Sequence, residues 1–169
     1  FEGDGYSEEW KVEAAKRGLH NILSVPETLK FYLTPEAREV LVKPGIFSEI
    51  EIESRVEVEY VKFIKKVQIQ SRVLGDLAIN HIVPTAINYM TSLIENVKGL
   101  KEVFNEIEFE RLAGARKEVI ITISDHISAI KRLVNEMIEE RKKANIILGS
   151  YEKAIAYEKN VKQYLEEIR

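Results

Sequence analysis

The sequence predicts an all-α chain organised around a long helical hairpin, and three observations carry that prediction. From Ser48 to Gly99, apolar residues recur at three- and four-residue steps with one strong interruption, Pro84. About 50 residues at 1.5 Å each would make a rod of roughly 75 Å, more than a compact domain of this size requires. Residues 105–148 hold a second helical pattern of nearly matching length, so two very long antiparallel helices are the simplest arrangement. Helix-start spacings also stand at the head of each predicted element. The expected organisation is one helical domain over 1–169: short helices in 1–47, a long helix over 48–99 kinked at the proline, a second over 105–148 and a final helix over 150–169.

Composition narrows the function classes. A chain of 169 residues with 45% hydrophobic content can bury one core. Its 25 Lys and Arg nearly balance 28 Asp and Glu, and a formal charge of -3 draws neither nucleic acid nor an anionic membrane surface. Zero cysteines remove disulfides, thiolate metal sites and cysteine nucleophiles together, which suits a cytoplasmic protein. No run reaches the roughly 18 apolar residues of a membrane helix and no signal-peptide pattern opens the chain, so a soluble protein is expected. The chain starts at Phe1 within a polar loop, as a piece of a longer protein would, or one trimmed of disordered residues.

Taken in order, Phe1 to Tyr6 is a Gly and Asp loop, and Ser7 is placed to cap a short helix whose Glu8 and Glu9 sit in its positive-dipole first turn. Gly18 ends it. Ser24-Val25-Pro26-Glu27 has capping-box spacing, and Pro26 is tolerated because its missing N–H falls among the unpaired first donors. Thr34-Pro35 repeats the signal, and Pro44-Gly45 closes that helix. Trp10, Leu19, Leu29, Phe31, Tyr32 and Phe47 exceed what such short helices can hide, so they are expected to pack on the hairpin or, in a larger parent, on another domain.

Ser48-Glu49-Ile50-Glu51 is a further capping box and starts the rod. Ile50, Ile52, Val56 and Val58 alternate with glutamates, a period that would also suit a strand, but a strand here would have no partner. Farther on, Tyr60, Phe63, Ile64, Val67, Leu74, Leu77, Ala78, Ile82, Ile87, Met90, Leu93, Ile94 and Val97 trace an apolar band wide enough to meet more than one neighbour. Pro84 cannot donate to the carbonyl of Asn80 and its ring crowds that turn, so a kink is expected between His81 and Pro84.

Asn105 with Glu108 repeats the start spacing, and Leu112, Val119, Ile123, Ile130, Leu133, Met137, Ala144 and Ile147 follow in a 3-4 rhythm that also holds His126. Glu139 and Lys143 are set for an i,i+4 pair before Gly149. Ser150 is placed to cap the last helix, with Tyr151, Ile155, Val161, Tyr164 or Leu165, and Ile168 on one face.

The search for chemistry returns no catalytic, cofactor-binding or metal residue. Glu49, Glu51, Glu53, Glu57 and Glu59 read as a solvated face. A di-iron bundle uses Glu-x-x-His, and the residues three before His20, His81 and His126 are Arg17, Ala78 and Ile123. HExxH, GxxxxGK[ST] and GxGxxG are all missing. Lys62, Lys65, Lys66 and Arg72 read as a wet face in preference to an acid-binding one. Tyr151, Tyr157 and Tyr164 read as packing, since no groove of Lys and Arg accompanies them.

Six strings in order nonetheless resemble one family. DGYSEEW (Asp4 to Trp10), EAAKRGL (Glu13 to Leu19), IKKVQIQSRVLGDLAINHIVPTA (Ile64 to Ala86), LIENVKGLKEVF (Leu93 to Phe104), LAGARKE (Leu112 to Glu118) and RKKAN (Arg141 to Asn145) resemble the C-terminal region of type III glutamine synthetases. The resemblance implies a parent ligase that joins glutamate and ammonia with ATP and a divalent metal, Mg or Mn, through a γ-glutamyl phosphate. It implies an upstream catalytic domain of the same chain as partner and a dodecameric ring assembly. The family's metal, nucleotide and ammonium contacts lie in the catalytic barrel upstream, so none is carried onto a residue here. Two readings follow: a non-catalytic C-terminal domain that supports folding or ring assembly, or a free-standing helical adaptor without enzymatic activity.

Overall fold

Ser7, Ser24, Thr34 and Asn105 each accept a backbone N–H from the residue three positions on, with side-chain oxygens 3.1 to 3.4 Å from the nitrogens of Trp10, Glu27, Ala37 and Glu108. These contacts satisfy donors that a helix leaves open in its first turn, so each start follows from its local sequence. Ser48 and Glu51 form the full reciprocal box: the Glu51 N–H reaches the Ser48 hydroxyl at 3.3 Å and the Ser48 N–H reaches the Glu51 carboxylate at 2.7 Å.

The computed structural model describes residues 4–169, so the first three residues of the predicted opening loop lie outside the described ones. The fold is all-α, with no strand among the described residues. The elements are α1 (Glu8–Lys16), α2 (Val25–Lys30), a 3₁₀ turn (Phe31–Leu33), α3 (Pro35–Leu41) and α4 (Glu49–Leu77). A π turn (Ala78–Ile82) follows, then α5 (Val83–Val103), α6 (Glu106–Asn145), α7 (Ser150–Ala156), a second π turn (Tyr157–Val161) and α8 (Gln163–Glu167). Gly18 and Gly45 take φ of 70° and 76°, the left-handed conformation that ends α1 and the turn after α3.

The chain divides into two compact units, Phe1–Phe63 and Ile64–Arg169. In the first, Arg38 of α3 reaches Glu49 and Glu53 of α4 at 3.1 and 2.8 Å, tying the short helices to the start of the long one. Along α4 the residues Ile52, Val56 and Tyr60 are buried while Ile50 and Val58 are exposed, a four-residue period that excludes the strand alternative.

In the second unit, α5 packs on α6 after a tight turn at Phe104 and Asn105, and the last helix packs on α6 from its other end. The hairpin is antiparallel: Gln68 bonds Asn145, and Gly75 faces Val134 and Met137. At 40 residues, α6 is about 60 Å long. Its buried positions are Phe109, Ala113, Val134, Met137 and Ala144.

Several expectations change in detail. The predicted seam series through Val119, His126 and Leu133 lies one residue off: Val119 and His126 are exposed, whereas Ile120, Ile127 and Val134 are covered. Apolar neighbours stand side by side at 119–120 and 133–134, and a 3-4 rhythm runs through either choice. Of the predicted band, Leu77, Ile82 and Ile87 are exposed, and the buried line passes through Ser71 of α4 and Ala78 of the π turn, small residues that let helices approach closely. Glu139 pairs with Lys142 and Glu140 with Lys143, both at i,i+3, in place of the Glu139–Lys143 pair. The N-cap of α7 is Gly149, with Ser150 the first helical residue. The face of the last helix is set by Ala154, Tyr157, Val161 and Ile168.

Where the sequence predicts a kink, between His81 and Pro84, the chain forms the first π turn just before the proline, in which the Val83 N–H bonds the carbonyl of Ala78. It puts Pro84 in the first turn of α5, where a missing donor costs least. Ala78 and Val83, five residues apart, are both buried, so the wider turn keeps the apolar line in phase past the proline.

Candidate functional site

In the first unit the short helices and the start of α4 enclose a groove of about 790 Å³. Leu29 and Tyr32 contribute from α2 and the 3₁₀ turn, Leu41 and Phe47 from α3 and the segment after it, and Ile50 and Val58 from α4. Ile52 and Val56, 3% and 4% exposed, lie at its base. Its walls are held in place by the caps at Ser24, Thr34 and Ser48 and by the Arg38 bridge to Glu49 and Glu53.

The charged residues at the groove are occupied within the unit. The backbone N–H of Ser48, then its hydroxyl, hold the Glu51 carboxyl below the usual carboxylate range, with Arg55 adding a smaller effect against the opposing pull of desolvation. The Arg55 guanidinium sits 4.7 Å over the Phe47 ring. Glu59 pairs with Lys62 one turn on. A groove with largely apolar walls and a lining of two acidic and two basic residues can cover apolar side chains of a partner.

The second unit holds a polar cluster. Gln68 Nε2 donates to Asn145 Oδ1 at 2.8 Å and to the Tyr157 hydroxyl at 2.9 Å, and Tyr157 donates to Asn145 at 2.6 Å. Ser71, fully buried, donates to the Gln68 carbonyl at 3.0 Å. Glu158 bonds Lys162 with one carboxylate oxygen at 2.9 Å, and its other oxygen is buried without a partner.

His20, His81 and His126 are all exposed and lie apart, in the connection before α2, the first π turn and α6; His20 stands 5.2 Å from the Phe31 ring. Among the described residues no three His, Asp or Glu side chains gather as a metal site. The five glutamates of the predicted solvated face are exposed, as are Lys62, Lys65, Lys66 and Arg72. No helix among the described residues is long and apolar enough to cross a membrane. The sequence search found no groove, although its signal was present: the surplus of large apolar residues in the first 47 positions.

Comparison with known proteins places this geometry. The family model described as glutamine synthetase C-terminal domain matches residues 1–101. Over all 169 residues the chain is 56% identical to a glutamine synthetase of Bacteroides fragilis (strain YCH46) and covers 23% of that protein. It is 25% identical over the same 169 residues to a glutamine synthetase of Butyrivibrio fibrisolvens, covering 24% of it. A type-3 glutamine synthetase of Dictyostelium discoideum is 32% identical over 100 residues, 59% of this chain and 14% of the relative. The chain thus spans about a quarter of the length of the first two curated relatives.

Proposed function

We propose that this chain, which belongs to the glutamine synthetase C-terminal domain family, serves as a non-catalytic helical domain of a larger glutamine synthetase and supports its folding or ring assembly. The observation that carries this reading is full-length similarity to relatives about four times as long. In it, the parent enzyme joins ammonia to glutamate in the cytoplasm with ATP and Mg or Mn, its catalytic, nucleotide and metal residues all lying outside these 169. The partners are the catalytic domain of the same polypeptide and the other subunits of a dodecamer. The apolar walls of the groove and its balance of two acidic and two basic lining residues suit a packing role.

The test compares the parent enzyme with a form lacking this segment, by sedimentation and by glutamine formation, beside melts of the isolated segment with Mg-ATP. The expected result is a deletion form that fails to fold or assemble, and a segment that neither makes glutamine nor gains melting temperature with Mg-ATP. Any ligand bound only by the folded state would raise that temperature, so such a rise overturns the non-catalytic reading. A deletion form that assembles normally overturns the structural role.

A further inference from the structure

We propose that the groove of the first unit seats an apolar segment from the remainder of the same polypeptide, and that this contact is how the domain engages its parent. The proposal rests on the reading of the chain as part of a longer glutamine synthetase.

Three observations support it. On one helix, Ile52 and Val56 are buried while Ile50 and Val58, on the groove walls, are 76% and 51% exposed. Apolar area left open beside a formed base is what an incoming side chain would cover, at about 25 cal/mol per Å². Next, the charged residues lining the groove, Glu51, Arg55, Glu59 and Lys62, are two of each sign, so an occupant need bring no compensating charge. The groove selects apolar surface, and the contact should be insensitive to salt. Finally, about three-quarters of the length of the relatives lies outside the part this chain matches. A segment tethered in the same polypeptide is present at an effective concentration in the millimolar range for short flexible connections, well above that of a separate protein in dilute solution, and cross-linking separates it from a neighbouring subunit. At 790 Å³ the groove lies within the roughly 300–1,000 Å³ of ordinary ligand pockets, so the occupant is a few side chains of one helix or loop.

The experiment uses the full-length polypeptide, with p-benzoylphenylalanine placed at Ile50 or Val58, and at the 98% exposed Leu148 as control. After irradiation the cross-linked peptides are mapped by mass, with and without high salt. The expected result is a cross-link from Ile50 and Val58, within one polypeptide and unaffected by salt, to a residue outside these 169, with no such link from Leu148. A link between two polypeptides assigns the groove to a subunit contact and overturns the proposal. Links confined to these 169 residues, or none, overturn it as well. Intact mass measured beforehand separates the two ideas: a natural polypeptide no longer than this segment sinks the parent reading, whereas a longer one without the link sinks only the groove.

Discussion

Tyr157 gives its phenol hydrogen to Oδ1 of Asn145 across 2.6 Å, and through that bond the π turn of the last helix is joined to the C-terminal end of α6. Gln68 completes the ring by donating to both residues, so one polar cluster fastens α4, α6 and the last helix within the second unit. Tyr157 is fully buried, so its hydroxyl depends on these two partners, whereas Asn145 is exposed and Gln68 half-buried.

Tyr157→Phe should therefore lower stability by about 1–2 kcal/mol, since Asn145 keeps one donor while Gln68 loses one acceptor. Denaturant melts of Tyr157→Phe, Asn145→Ala and the double variant provide the check. The double variant should lose less than the sum of the singles, because the two residues share one network. Strict additivity would show that the cluster does not act as a unit.

Gly75 lies inside α4, where a Cβ would stand 3.5 Å from Met137 Cε and Val134 Cγ1, ordinary packing distances. Gly75→Ala should accordingly raise stability by about 0.5–1 kcal/mol, as expected for alanine over glycine in a helix interior. Gly75→Leu should lower it, because the same two side chains leave no room for a larger group. The melting temperatures of the two variants should move in opposite directions.

Pro84→Ala should change stability by less than about 1 kcal/mol, not by the 3 kcal/mol that removal of a proline from a helix interior would yield. The Ala78–Val83 bond precedes the proline, and the burial of both residues holds that register. Amide exchange should find the Val83 N–H equally protected in both proteins. A variant stabilised by about 3 kcal/mol would mean that proline strain sets the turn.

Glu51 caps α4 as an anion, and its folded pKa lies below the ordinary glutamate value of 4.5. A depressed pKa contributes stability that is present above the unfolded value and lost as pH falls through the folded one. Glu51→Gln should be less stable than the natural protein at neutral pH, and the difference should shrink as pH drops below 4.5. A difference that stays constant with pH would assign the cap to hydrogen bonding without charge. Paired melts across that range distinguish the two.

The sequence by itself determined the helices and where they start. Ser7, Ser24, Thr34, Ser48 and Asn105 each find their partner three residues away, and Gly18 and Gly45 take the positive φ that their positions require. Such contacts close within one turn and need no distant surface. Only the tertiary structure decided which side of each helix is inside. Val119 or Ile120, and Leu133 or Val134, satisfy the same heptad rhythm, and rotating α6 by one residue, about 100°, exchanges them without breaking a backbone bond. The choice fell to the partner: Gly75, with no side chain of its own, admits Val134 and Met137, and His126 lies outward. Tyr157 and the groove belong to the same class. A hydrogen bond between residues 68 and 157, or a hollow shared by α2, α3 and α4, depends on elements distant in the chain, and no local pattern records where those elements will meet.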